Sequence, residues 1–194
     1  SITGERISSS RLPTTNDEVT LILTKPLGIG IILAAQMRGR APAEALEGAY
    51  LAMATSNAPV TAVIGACRVA AMTDVTGFGL ARHALNLAAR CGFSGVHLTL
   101  DDIPLLTGAA ELSASGIASS LRDGNMRAVP EQHIAPDLAP EKTALLFDPQ
   151  TSGGVLAAIP STDAEPVIAA LARLEGRLAV RIGRFTSVSG LTLS

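Results

Sequence analysis

The 194-residue sequence contains no tryptophan, one tyrosine and four phenylalanines, too few rings for a base-stacking platform. Fifteen Lys and Arg against 17 Asp and Glu leave a formal charge of −2, which supplies no positive field to hold a phosphodiester backbone. Nucleic acid is thereby excluded as a partner class. Two cysteines, Cys67 and Cys91, cannot build a disulfide scaffold, and they fit a reducing cytoplasm. A membrane span needs roughly 20 apolar residues. The apolar stretch near the start, Leu27–Ala35, is short, broken by Gly28 and Gly30, and preceded by Pro26. No charged-then-apolar signal segment opens the chain.

What is present is a folding chain: 47% of the residues are apolar and 16% charged. The length suits one domain with a sizeable core. Residues 1–18 are polar and read as a linker or lead-in, and residues 19–194 as the domain. The first residue is Ser, and we expect a piece of a longer protein. Strands are expected at Val19–Thr24, Val69–Thr73, Val96–Leu100, Ala144–Phe147, Val155–Ile159, Val180–Phe185 and Leu191–Leu193. Helices are expected after the Gly28/Gly30 turn, over Ala43–Ala54, Pro59–Ala66, Gly77–Arg90 and Gly108–Ser115, and after a Thr162–Glu165 capping box. The stretch 116–142, rich in Ser, Pro, Asp and Gly, reads as one long irregular excursion. Uneven alternation of strands and helices predicts an α+β layered domain, with helices packed on a mixed sheet of about six strands.

Three stretches carry chemistry. In Met72–Leu80 (MTDVTGFGL) a strand ends, a carboxylate follows, and a glycine-containing turn opens a long helix. A helix N-terminus presents unpaired N–H groups and partial positive charge, and Gly77 and Gly79 permit close approach of an anionic phosphate. Asp74 is placed to hold a Mg²⁺ that bridges to such phosphates, with Thr73 and Thr76 beside it. The competing reading makes Asp74 or Thr76 a simple helix cap. One carboxylate is also a poor Mg²⁺ site, so further ligands must come from elsewhere.

The second stretch, Phe147–Gly154 (FDPQTSGG), gathers a carboxylate, the Gln150 amide and the Thr151 and Ser152 hydroxyls in one tight turn. It reads either as a polar nest for an anion or a brace for the Asp74 loop, or as a hairpin-like connection satisfying its own backbone. In the third, Thr24–Gly30, Lys25 ends a buried strand where a phosphate contact is open to it, although the spacing is not that of a P-loop. The cysteines read as small buried hydrophobes, and His83 as a surface or interface residue.

Together LTKPLG (23–28), MTDVTGFGL (72–80), Ile103–Leu106 and FDPQTSGG (147–154) resemble the C-terminal domain of selenophosphate synthetases, also called selenide, water dikinases. DPQTSGG also occurs in relatives such as aminoimidazole ribonucleotide synthetase, whereas MTDVTGFGL is the specific element. The resemblance covers roughly residues 19–185 and implies an AIR synthetase-like C-terminal fold. It implies an enzyme that turns ATP, selenide and water into selenophosphate, AMP and phosphate in the cytoplasm, with Mg²⁺ and as a homodimer. The reactive residues and most acidic Mg²⁺ ligands belong to an N-terminal ATP-binding domain outside this sequence, and Asp74 is the position matching a family metal ligand. Thr73, Thr76, Gly77, Gly79, Asn125, Gln150, Thr151 and Ser152 are the expected phosphate-side contacts. Asn125 takes the family's Asn position, although Ser119–Asn125 replaces a Pro-Gly-Gly-containing segment. Two alternatives stand: another ATP-dependent enzyme of the superfamily, in purine or thiamin-phosphate metabolism, or a non-catalytic dimerisation or regulatory module.

Overall fold

Five successive apolar or β-branched residues, Val19–Leu23, form strand β1, and all five are buried because helices cover both faces of the sheet around them. The computed structural model describes residues 18–194 except Pro130 and Glu175. The lead-in expected over residues 1–18 therefore lies, Glu18 apart, outside the described residues.

Helix α1 (Ile29–Met37) follows Gly28, α2 (Ala43–Ala54) follows Pro42, and α3 (Ala58–Gly65) carries Pro59 in its first turn, where a missing N–H costs nothing. Strand β2 (Ala71–Asp74), helix α4 (Gly79–Arg90) and strand β3 (Gly95–Leu98) come next. Helices α5 (Ala109–Ala114) and α6 (Arg122–Arg127), strand β4 (Gln132–Ile134) and helix α7 (Pro140–Leu145) occupy the middle of the chain. Strand β5 (Val155–Pro160), helix α8 (Ala164–Ala172) and strands β6 (Val180–Thr186) and β7 (Gly190–Leu193) complete it.

The strands form one mixed sheet in the order β2-β5-β1-β6-β3-β7-β4. All pairings are antiparallel except β3 with β7 and β7 with β4. The apolar stripe of α4 (Leu80, Ala84, Leu87) packs on one face, over Leu21, Leu23, Val96 and Leu98. Helices α3 and α8 cover the other face of β5 and β1 through Val60, Ile64, Val167 and Leu171. A third cluster joins α1, α2 and α5 through Ile29, Ile32, Ala45, Ala49 and Leu112. No described helix is long and apolar enough to cross a membrane.

The layered α+β architecture is as expected, with seven strands rather than about six. Three local expectations are corrected. The supposed excursion 116–142 contains α6, β4 and the first half of α7, elements of three to six residues that are too short to show a period. Ala144–Phe147 is not a strand: Leu146 and Phe147 donate to the carbonyls of Thr143 and Ala144, so the apolar run ends a helix in tightened turns. Nor does the capping box form. A 3₁₀ turn occupies Ser161–Asp163, the Thr162 hydroxyl bonds the Asp163 carboxylate at 2.9 Å, and Glu165 pairs with Arg181 at 2.8 Å.

Candidate functional site

Because β5 lies between β2 and β1 and runs antiparallel to both, the ends of β2 and β1 and the start of β5 share one end of the sheet. The three sequence stretches meet there. Val75 N–H donates to Gly154 O at 2.9 Å, Gln150 N–H to Thr76 O at 3.1 Å, and Val155 N–H to the Thr24 hydroxyl at 2.8 Å.

Asp74 is the last residue of the edge strand β2, paired with Val155, and its side chain is exposed. Among the described residues it joins no ion pair. The turn beyond it is tightly tied. Thr76 donates its N–H to His83 Nε2 at 3.1 Å, and its hydroxyl lies 3.1 Å from the same nitrogen. The Thr76 carbonyl accepts from Gln150 N–H and from Gly79 N–H, both at 3.1 Å. Asn125 Nδ2 donates to Gly77 O at 2.8 Å and to Phe147 O at 2.9 Å, stitching the two motifs together. Thr73 sits half-buried beside Asp74, its hydroxyl 3.2 Å from the Asp74 carbonyl.

Neither Asp74 nor Thr76 caps α4, so the simple-cap reading is corrected: the N-cap is Phe78, with no side-chain bond. At the N-terminus of α4 the protein itself takes two of the free N–H groups, those of Gly79 and Ala81. Ala81 N–H donates to Leu146 O at 3.0 Å. Gly79 has φ +74°, and a Cβ there would lie 2.8 Å from Leu146 O and 2.9 Å from Phe147 Cα. Its missing side chain thus admits the protein's own backbone rather than a ligand.

The second motif also turns inward. Asp148 and Gln150 are buried, at 1% and 4% exposure. Asp148 Oδ2 accepts Ile31 N–H at 2.7 Å, and Gln150 Oε1 accepts Gly28 and Ile29 N–H at 3.2 and 3.3 Å. Gln150 Nε2 donates to Asp148 O at 3.0 Å. The loop caps α1 in place of any local residue, and Gly30 lets it close in, because a Cβ there would strike Pro149 O and the Asp148 carboxylate. Burial raises the Asp148 carboxyl to about 6, against the opposing pull of the Ser119 hydroxyl, Ile31 N–H and Arg122. The strand-to-strand hairpin expected here is absent, since what precedes the loop is α7. Thr151 and Ser152 remain exposed, and Ser152 takes a left-handed φ of 51°.

Lys25 departs from expectation as well. Its ammonium donates to the carbonyls of Ala52 (2.9 Å), Thr55 (2.7 Å) and Ser152 (2.7 Å), which uses all three of its protons. It closes the C-terminus of α2 and anchors the second motif instead of meeting a phosphate. Burial and, secondarily, Arg177 lower its pKa. Three residues central to this geometry, His83, Asp148 and Lys25, have partners set by tertiary packing; a polar side chain beside a glycine-rich turn was the one local signal for them.

Among the described residues no three His, Cys, Asp or Glu side chains converge as a metal site. A hard cation that also binds phosphates takes only one or two carboxylates from protein, and an exposed, unpaired Asp74 on a rigid turn fits one such ligand.

The family described as AIR synthase related protein, C-terminal domain, matches residues 17–194. A selenide, water dikinase of Carboxydothermus hydrogenoformans is 34% identical over 172 residues, 88% of this chain and 49% of the relative. One from Salmonella typhi is 37% identical over 172 residues, 88% of this chain and 48% of the relative. The crystal structure of thiamine-monophosphate kinase from Stenotrophomonas maltophilia K279a superposes with a TM-score of 0.65 at 14% identity, covering 95% of this chain and 52% of that one. The last likeness is one of fold. The chain spans about half the length of the curated relatives it matches.

Proposed function

The chain belongs to the AIR synthase related proteins, of which it is a C-terminal domain, and from that premise we propose that it serves as the C-terminal half of a selenide, water dikinase. The intact enzyme, a cytoplasmic homodimer in this reading, converts ATP, selenide and water to selenophosphate, AMP and phosphate. The two relatives that share 34% and 37% of their aligned residues with this chain carry that name. The observation that carries the site is the Asp74 turn: Thr76 is tied through its N–H, hydroxyl and carbonyl, while the carboxylate two residues earlier is left exposed.

In this reading Asp74 supplies one ligand to a Mg²⁺–ATP site, and an N-terminal ATP-binding domain supplies the reactive residues and the other ligands. A Mg²⁺ held there would supply neutralisation of charge on the phosphates undergoing transfer. Thr73, Thr151 and Ser152 offer hydroxyls on the phosphate side. Thr76, Gly77, Gly79, Asn125 and Gln150 act one step back: their polar groups or their lack of a side chain hold the turn from which Asp74 projects.

The experiment is Asp74→Asn in the intact protein, followed by selenide-dependent AMP formation. Loss of at least about 100-fold in turnover, with an unchanged melting temperature, is expected for a removed ligand of the transferring phosphates. Unchanged turnover assigns the domain to a non-catalytic role. Turnover with formylglycinamidine ribonucleotide in place of selenide assigns it to a purine-pathway enzyme of the same fold.

A further inference from the structure

Thr76 stands where a strand runs out. The ladder reaches Val75, whose N–H finds Gly154 O at 2.9 Å, and one residue later the chain has left the sheet edge. A backbone N–H there needs a partner, because one left unpaired away from water is destabilising. That partner comes from inside α4. His83, the fifth residue of the helix, places Nε2 3.1 Å from Thr76 N and 3.1 Å from Thr76 Oγ1.

The chemistry of this contact fixes the state of the ring. An amide N–H only donates, so Nε2 presents its lone pair and the proton of the neutral imidazole sits on Nδ1. With Nε2 accepting, the Thr76 hydroxyl is the donor in the second contact. Burial lowers the His83 pKa and so favours the neutral ring, while the Asp74 carboxylate acts in the opposite sense. Phe78, in the same turn, stands tilted at 53° against the ring with centroids 6.1 Å apart. The imidazole therefore touches the turn that Asp74 opens at both Thr76 and Phe78.

We propose that His83 is a positioning residue: its imidazole, held as the Nδ1–H tautomer, pins Thr76 by amide and hydroxyl and thereby sets the direction in which the Asp74 carboxylate leaves the sheet edge. The catalytic consequence rests on the reading of Asp74 as a metal ligand; the lock itself does not. The Thr76 carbonyl keeps its bonds to Gln150 and Gly79 without His83, so removing the ring loosens the turn rather than unfolding it.

The test begins with the wild-type, ¹⁵N-labelled intact protein at pH 7.5. The His83 nitrogen shifts are expected to show a protonated Nδ1 and an unprotonated Nε2; a protonated Nε2 overturns the proposal. Substitutions then separate positioning from bulk. His83→Phe fills the space without an acceptor, His83→Asn is too short, and His83→Gln puts an oxygen where Nε2 stands. Hydrogen exchange at the Thr76 amide is expected to quicken about tenfold in His83→Phe and His83→Asn and to return to within about twofold in His83→Gln. In the intact protein the same two loss variants are expected to lower kcat about tenfold and to raise the KM for Mg·ATP, and His83→Gln to restore both. Exchange at Thr76 that ignores all three substitutions, or a kcat and KM that His83→Gln fails to rescue, overturns the proposal. If Asp74→Asn leaves turnover intact while the tautomer and exchange results hold, it is the metal-ligand reading that fails, and the lock stands.

Discussion

Asp148 and Ile31 lie 117 positions apart, and the carboxylate of the first accepts the backbone N–H of the second at 2.7 Å. Together with Gln150, Asp148 does for α1 what a local Ser or Asp does for most helices. The stretch with the look of an anion nest thus supplies a carboxylate of its own to a helix end that favours negative charge. The energetic cost is that Asp148 is 1% exposed and its Oδ1 accepts no hydrogen bond of good geometry.

That cost makes stability depend on pH with a definite sign. The Asp148 carboxyl rises from 3.8 to about 6 on folding, so between those values the folded chain holds a proton that the unfolded chain has released. Stability is therefore full below about pH 4, falls as pH rises towards 6, and is flat above. That rise in the carboxyl's pKa is worth on the order of 3 kcal/mol. His83 and His97, both lowered chiefly by burial, give an opposite slope below pH 6.5, so the comparison must be against a variant. Asp148→Asn keeps an oxygen for Ile31 N–H but cannot ionise. Urea midpoints from pH 4 to 7 are expected to lose the decline in Asp148→Asn and to retain it in wild type.

Two glycines of one turn are expected to behave oppositely. Gly79 combines φ +74° with backbone atoms of Leu146 and Phe147 inside 3 Å of a built Cβ, whereas a Cβ on Gly77 meets nothing within 4 Å. Gly77→Ala is expected to change stability by less than about 1 kcal/mol, with some gain from a stiffer unfolded chain. Gly79→Ala is expected to cost at least about 2 kcal/mol, through strain and the displaced 146–147 segment. Thermal denaturation of the pair reads the difference directly.

The same contrast explains what was legible in the sequence. The long α4 repeats Leu80, Ala84 and Leu87 on one side and could be read, whereas α6 and α7, six residues each, complete too few turns to show a period. Val155–Ile159 could be read as a buried strand; Ala144–Phe147 looked alike and is the end of a helix, because a short apolar run has no period of its own. At the site, motif positions were visible and partners were not. Nothing near Gly28 announces that Gln150 will cap it, and nothing near Lys25 announces three carbonyls from Ala52, Thr55 and Ser152. Those partners follow from β5 inserting between β1 and β2, a matter of sheet order.

Lys25 is accordingly expected to act on stability and not on nucleotide affinity. Lys25→Met fills similar space but leaves three carbonyls without a donor, at a cost of about 2–4 kcal/mol. Arg is a poor substitute, since a planar fork does not match three oxygens disposed around a compact ammonium. In the intact protein the melting temperature of both variants is expected to fall while the KM for ATP stays within about twofold. A KM that rises tenfold at unchanged stability contradicts this assignment.

Asn125 makes a sharper case, because one nitrogen serves two motifs. Nδ2 donates to Gly77 O on the Asp74 side and to Phe147 O on the Asp148 side. Asn125→Ala removes both bonds and leaves the carbonyl of the buried Phe147 without its donor, at a cost of about 1–3 kcal/mol. Asn125→Asp keeps the shape and sets a carboxylate against two carbonyl oxygens, so it is expected to cost more than Ala despite being the smaller change. Hydrogen exchange separates this from a general loss of α6: both variants should quicken exchange at Gly79 and Ala81, whose N–H groups meet Thr76 O and Leu146 O, before the β1–β5 ladder responds. Equal costs for Ala and Asp, or exchange that quickens everywhere at once, mean that Asn125 is not the stitch between the two turns.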